Sequence, residues 1–446
     1  MSTATEDIRI DLGRYVSRAQ LIPYLPVTFV RGEGAVLYDE NEKRYLDFLA
    51  SASSANIGHG NPEIARAVYE QMSSLAQYTQ AYFPSRPAVE LAKKLAELSG
   101  RPDMMVAFAC TGSASVDGAI KYARGFTGRR KILSFSGSYH GSTYGAISVS
   151  NLTNDMRRRI GPLLPDCEVL GYPDCSHCRY GEKRGRCGFG CLKELSYALE
   201  HYIPADEVAA VIVEPLAVDG GLVIPSTDYL RGLRELCTEN GILLISDEIN
   251  VGLGRTGKMF AMDHHGVDCD LYVLGKSLGA GLPLGAVIGR REILSCLDTP
   301  AHVFTMSGNA ACCAASLKMF EIMERDRLFE ETVREGRILE ERLRRLMDRY
   351  AVIGEVRGFG LCWGVELVTD RESMGVNYPA AAKISYYCLK HGLVQIFVAR
   401  NTLRIQPPLV ITDGQLDEAL GILEQAFAEL DAGRLPDSIL EEITGW

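Results

Sequence analysis

Lys276 and the Asp247-Glu248 pair are the residues whose types and placement could do chemistry together. Lys276 sits in LYVLGKSLGAGLPLGAVIGR, between two short apolar runs, and the acid pair closes the run ILLISDE. Both fall at the ends of apolar segments of strand length. An amine held in a pocket forms a Schiff base with an aldehyde cofactor. A carboxylate nearby keeps a pyridine ring protonated, which turns the ring into an electron sink. Taken alone, Lys276 reads as a loop lysine and Asp247 as a helix cap; the surrounding pattern reverses that reading.

Three further segments bear on the same chemistry. Cys110-Thr111-Gly112-Ser113 lies between a strand-like and a helix-like stretch. The backbone N–H groups and two hydroxyls of such a turn make a phosphate-sized anion site, or simply a capped turn. Phe135 to Gly141 places Tyr139 on a glycine-flanked turn after a strand, where it could stack on a planar ring or be a half-buried loop aromatic. Glu214-Pro215 ends another apolar run and is followed by Val218-Asp219-Gly220-Gly221.

The elements that must position these residues are legible from periodicity. From Gly100 onward, strand-like runs at 106–109, 131–135, 210–214, 242–246, 271–274 and 285–289 alternate with helical patterns such as 114–126 and 228–239. A Ser226-Thr227 cap signal precedes the latter. This alternation predicts an α/β domain with a mostly parallel sheet covered by helices on both faces. Ligands of such sheets bind at the carboxyl ends of strands, where Asp247 and Lys276 both fall. A helical stretch at 311–350 leads to strands at 352–367, 393–398 and 402–405 and helices at 379–390 and 413–432, a smaller α+β unit. Near the N-terminus, GAVLYDENEKRYLDFLA predicts a hairpin turning at Asp39-Glu40-Asn41-Glu42, able to pack against that C-terminal unit. The division expected is 1–60 as a segment of the small domain, 61–325 as the large domain, and 326–446 as the rest of the small domain.

Composition narrows the function classes. The chain has 446 residues, 47% hydrophobic and 23% charged, ample for a large buried core. A net charge of −10 without long like-charged blocks argues against nucleic acid or an anionic membrane surface as a partner. Acids precede any apolar run at the N-terminus, so no signal peptide is expected there. No stretch approaches the roughly 18 apolar residues that span a bilayer. A cytoplasmic protein is expected.

Eleven of the thirteen cysteines fall into two groups. Cys110, Cys237, Cys296, Cys312, Cys313, Cys362 and Cys388 lie in apolar or Ala-rich runs, where a reduced thiol acts as a small core side chain. Cys175-x2-Cys178-x8-Cys187-x3-Cys191 lies instead in the basic, glycine-rich loop at 173–192. That spacing suits zinc or an iron–sulfur cluster, and equally suits reduced thiols or facultative disulfides. No metal ligand is assigned on spacing alone.

In their order, SGSYHG, VEP, SDEI, GLGRTG, LGKSLGAGLPLGA and HVFTMSGN resemble the class III (ω) aminotransferase family of pyridoxal 5′-phosphate enzymes, fold type I. The resemblance runs from GHGNPEIARAV near residue 58 to LRIQPPLVIT at 403–412. It implies Lys276 as the Schiff-base lysine, Asp247 on the pyridine nitrogen, and Ile249 and Tyr139 sandwiching the ring. Gly112 and Ser113 would hold the phosphate, joined by Thr305 from a neighbouring subunit, so a homodimer or dimer of dimers with shared sites is implied. Glu214 and Asn250 would complete the cofactor's surroundings. Arg404 matches the arginine that commonly takes a substrate carboxylate, a task suited to its planar fork.

Two positions depart from the aminotransferase pattern. Asn250 stands where glutamine is usual, three positions after the aspartate, and Ala114 stands where an acid is usual. FLASASSANIGHG, TQAYF, GSYHGSTYG and DEIN are similar to the racemase and 2-epimerase branch of the family. That likeness implies an amino-acid racemase or 2-epimerase acting on aliphatic, branched-chain-like substrates. Racemisation returns a proton to Cα on the opposite face, which requires a second acid/base there or a mobile lysine; Asp219 is the candidate for the second acid/base. A class III aminotransferase is the alternative. A catalytically silent binding relative is a remote one, given intact Lys276, Asp247 and Tyr139.

Overall fold

Runs without polar alternation become the inner strands of a seven-stranded sheet. Val208–Val213, sequence VAAVIV, is buried at every position, as expected of a strand covered on both faces. The strand order is Met104–Ala109, Gly285–Arg290, Leu271–Leu274, Leu243–Asp247, Val208–Val213, Lys131–Phe135, Cys167–Leu170. Gly285–Arg290 pairs antiparallel with both its neighbours, and every other pairing is parallel. All strands but Gly285–Arg290 therefore point their carboxyl ends to one edge.

The computed structural model describes residues 4–22, 24, 27–183, 186–443 and 445. The chain forms two compact units, residues 62–329 and residues 1–61 with 330–446. In the first unit the helix Gly112–Thr127 starts at Thr111, whose side chain accepts from the Ala114 N–H, and stops at Gly128, a left-handed C-cap at φ +68°. Its inner face joins Val116, Ile120 and Ala123 to Ile212, Ile245 and Val273 of the sheet in one core. The helix Thr227–Glu239 is capped as anticipated, by the Ser226 hydroxyl at 3.2 Å from the Tyr229 nitrogen.

The second unit holds two four-stranded sheets. One joins Phe29–Glu33, Val36–Asp39, Arg44–Asp47 and Leu393–Val394; the other joins Ile353–Phe359, Cys362–Leu367, Thr402–Ile405 and Ile396–Val398. The N-terminal hairpin turns where its acids stand. Asp39 Oδ1 accepts from the Asn41 and Lys43 N–H groups at 2.8 and 3.0 Å, and Glu42 takes a left-handed φ of +59°. The arm Arg44–Asp47 then pairs in parallel with Leu393–Val394.

Three local expectations are corrected, and one strand was not anticipated. The stretch 311–350 is two helices, Ala310–Arg325 and Leu328–Arg349, parted where Arg327 adopts φ +53°. The run 352–367 is a hairpin, broken at Gly360 (φ +53°) into Ile353–Phe359 and Cys362–Leu367. The run 393–398 is split between the two sheets, with Gln395 at the crossing and bonded to Ser385 Oγ at 2.7 Å. Cys167–Leu170, an edge strand of the large sheet, escaped notice because CEVL is short and carries an acid.

Candidate active site

The loops at the common strand edge converge. Thr111, Gly112 and Ser113 follow Met104–Ala109, and Tyr139, His140 and Gly141 follow Lys131–Phe135. Glu214 and Asp219 follow Val208–Val213; Asp247, Ile249 and Asn250 end Leu243–Asp247; Lys276 follows Leu271–Leu274. All of them line one cavity of about 150 Å³. Segments far apart in sequence meet here because strand order, not chain order, sets which loops are neighbours.

Asp247 is buried and braced from two sides. Its Oδ1 accepts from the Ile249 N–H at 3.0 Å, and its Oδ2 lies 2.6 Å from His140 Nδ1. A carboxylate only accepts, so the imidazole donates through Nδ1. His140 is itself fixed by its own N–H, which donates to Ser150 Oγ at 2.9 Å. Its Nε2 is buried without a hydrogen-bond partner among the described residues. Lys276 opens a short 3-10 turn, Lys276–Gly279, with φ +43°, a left-handed conformation unusual for a side chain with a Cβ. Strain of this kind concentrates at functional sites.

The cradle opposite is built from close backbone approach. A Cβ on Gly275 would lie 2.8 Å from the Gly112 Cα, and one on Gly112 would lie 2.9 Å from Ile249 Cδ1. Ser113 Oγ accepts from the Ser142 N–H at 3.1 Å, which ties the helix N-terminus to the turn after Tyr139. Unpaired N–H groups and the helix dipole make this end receptive to a phosphate.

Carboxyl groups crowd the same space. Burial pushes the Glu214 carboxyl well above the usual carboxylate range, and the nearby Asp247 and Asp219 charges push it the same way. The Tyr139 N–H, bonded to Glu214 Oε1 at 2.9 Å, and the Lys276 ammonium oppose that rise. The balance favours the protonated form of Glu214. Glu248 turns away from the cavity to accept from the Ala261 and Met262 N–H groups at 2.7 and 3.0 Å and from Ser246 Oγ at 2.9 Å. It locks the turn that presents Asp247, Ile249 and Asn250.

Gly112, Ser113, Tyr139, Glu214, Asp219, Asp247, Ile249, Asn250 and Lys276 are therefore brought together. Thr305 is not among the lining residues. It is exposed, and its carbonyl accepts from Gln77 Nε2 at 3.1 Å. Arg404 belongs to the other unit, in the strand Thr402–Ile405, only 3% exposed, with Nε donating to Gln406 Oε1 at 2.6 Å. Sequence reasoning missed His140, whose only local signal was its place beside Tyr139 in a tight turn. It also missed the role of Gly275, whose lack of a side chain matters only once Gly112 lies against it.

An amine, a braced carboxylate, an aromatic and an aliphatic wall, and a helix N-terminus fit a phosphorylated pyridine aldehyde. Comparison with known proteins agrees with that chemistry. The isoleucine 2-epimerase of Lentilactobacillus buchneri is 41% identical, over 95% of this chain and 94% of its own. The leucine/methionine racemase of Thermococcus litoralis is 40% identical, over 99% of each. The solved structure of a PLP-bound amine transaminase from an uncultivated Pseudomonas species superposes with a TM-score of 0.84 at 30% identity, over 90% of this chain and 95% of its own. The family model for aminotransferase class-III matches residues 17–427. On this evidence of sequence, fold and cavity, the chain belongs to the class III aminotransferase family.

Proposed function

We propose that this protein is a pyridoxal 5′-phosphate-dependent amino-acid racemase or 2-epimerase acting on aliphatic, branched-chain-like amino acids. The observation that carries the reading is that Lys276 and Asp219, two groups able to hold a proton, line the same cavity as the braced Asp247. The names of the two relatives at 40–41% identity support it. The cofactor, when bound, supplies an electrophilic aldehyde and a protonated ring that takes up the charge left at Cα.

The chain's own residues do the rest. Asp247, oriented by His140, would hold the proton at the ring nitrogen. Tyr139 and Ile249 would hold the ring. Gly112 and Ser113 would bind the phosphate, together with Thr305 contributed by a second copy in a homodimer or dimer of dimers. Glu214 and Asn250 would complete the cofactor's surroundings. Arg404 takes the substrate carboxylate. Lys276 Nζ removes the Cα proton on one face, and the Asp219 carboxyl returns one on the other. Assistance of this kind is worth on the order of 10²–10⁴ in rate.

The test is incubation with L-isoleucine or L-valine in deuterated water without any keto acid. Loss of optical activity with deuterium at Cα and no keto acid is the expected result. Stoichiometric keto-acid formation without inversion would instead establish the second reading, a class III aminotransferase. That reading is favoured by the transaminase among the fold neighbours.

A further inference from the structure

The cysteine-rich loop between Cys167–Leu170 and the helix Gly190–His201 has no part in the reaction above. Cys175, Cys178, Cys187 and Cys191 nevertheless line a single cavity of about 60 Å³, together with Tyr172 and Tyr229. All four are half-buried reduced thiols. The loop's geometry explains their convergence. A turn follows the first pair, with the Gly181 N–H donating to the Cys178 carbonyl at 3.0 Å. An antiparallel bridge between Lys183 and Arg186 then folds the chain back, and Cys191 enters the first turn of the helix. Residues 184 and 185 lie outside the described residues.

We propose that these four thiolates hold one structural zinc ion. A closed set of four soft sulfur ligands at this spacing is what tetrahedral zinc requires. Among the described residues, no three Cys, His, Asp or Glu side chains already stand in ligating geometry. A Zn–S bond of about 2.3 Å sets the sulfurs about 3.8 Å apart, so the ion draws in thiols that already face one space.

Charge favours the same occupant. Zinc with four thiolates carries a net negative charge, and residues 173–192, with four Arg or Lys against Asp174 and Glu182, offset part of it. Metal binding deprotonates the thiols it takes up. The loop also reaches the other cavity. The Tyr172 hydroxyl donates to the Glu214 carbonyl at 2.6 Å, so a zinc-locked loop would brace the strand end that carries Glu214.

The holoenzyme, purified under reducing conditions without chelators from zinc-replete cells, is expected to contain about one zinc per chain, released by a mercurial thiol reagent. Cys178→Ser and Cys187→Ser should each lower zinc below about 0.2 equivalents while cofactor absorbance remains. Should either variant fail to fold, replacement of zinc by cobalt in the wild type is expected to give thiolate-to-cobalt charge-transfer bands. Less than about 0.2 zinc per wild-type chain, iron with inorganic sulfide in its place, or full zinc in both folded variants would overturn the assignment. Protein that binds zinc but does not racemise defeats the reaction alone; protein that racemises without zinc defeats this site alone.

Discussion

At the residue scale the cavity depends on pairs that divide a task. Asp247 carries the charge and His140 aims it, through a 2.6 Å hydrogen bond in a dry setting. Hydrogen bonds to charged groups are worth roughly 1.5–3 kcal/mol, so His140→Phe should lower kcat about 10- to 100-fold. It should also move the pH at which cofactor absorbance changes, a signature that lost packing alone would not produce. Lys276→Ala should abolish both that absorbance response and activity, and a fully active variant would defeat the whole scheme. Asp219→Asn should suppress inversion by on the order of 10²–10⁴. Exchange of the L-substrate's Cα proton with retention should persist, which nuclear magnetic resonance in deuterated water would read. Lys276, Asp247 and Tyr139 were legible because each sits at a strand end. His140 was not, since its partner lies on a distant loop.

At the element scale the site depends on how closely backbone segments approach. Gly275→Ala would set a methyl group 2.8 Å from the Gly112 Cα, so strand end or helix start must shift. A loss of about 1.4 kcal/mol, tenfold in cofactor Kd, is expected from cofactor titration. Glu248 supplies a pH signature for the turn that presents Asp247. Burial raises its carboxyl to about 7, against the three hydrogen bonds that favour its ionised form. The unfolded chain releases this proton from near pH 4.5 upward, while the folded chain keeps it until about 7. This group's contribution to stability therefore falls across that window and is level above it. Glu248→Gln should flatten the corresponding slope in urea unfolding. It should also cost about 1–3 kcal/mol, because its amide sets N–H against the Ala261 or Met262 N–H. An unchanged slope would remove Glu248 as its source.

At the scale of the whole molecule, one region of the unit 62–329 exposes many large apolar side chains. Tyr69, Met72, Leu75, Tyr78, Tyr82 and Phe83 expose large apolar faces. Gln77, among them, reaches the segment of Thr305 through its bond to the Thr305 carbonyl. Large apolar side chains exposed this close together in the chain suit an interface, which is what Thr305 offered to a second copy would need. Leu75→Glu should halve the mass seen by sedimentation and weaken cofactor binding and activity together. A fully active monomer would refute the shared site.

The sequence by itself determined the elements and the chemistry available at their ends, because apolar periodicity, caps and turn residues act over a few positions. Lys131–Phe135 and Leu271–Leu274 were readable to the residue, and Val208–Val213 nearly so, since such runs admit few other structures. Only the tertiary structure decided what meets what. Sheet order brought His140 to Asp247 and crowded Glu214 with two further acids. It also set Gly275 against Gly112 and turned four cysteines toward one cavity. Those relations join residues up to a hundred or more positions apart. They follow from which loops the sheet makes neighbours, a property of the folded chain that no local pattern encodes.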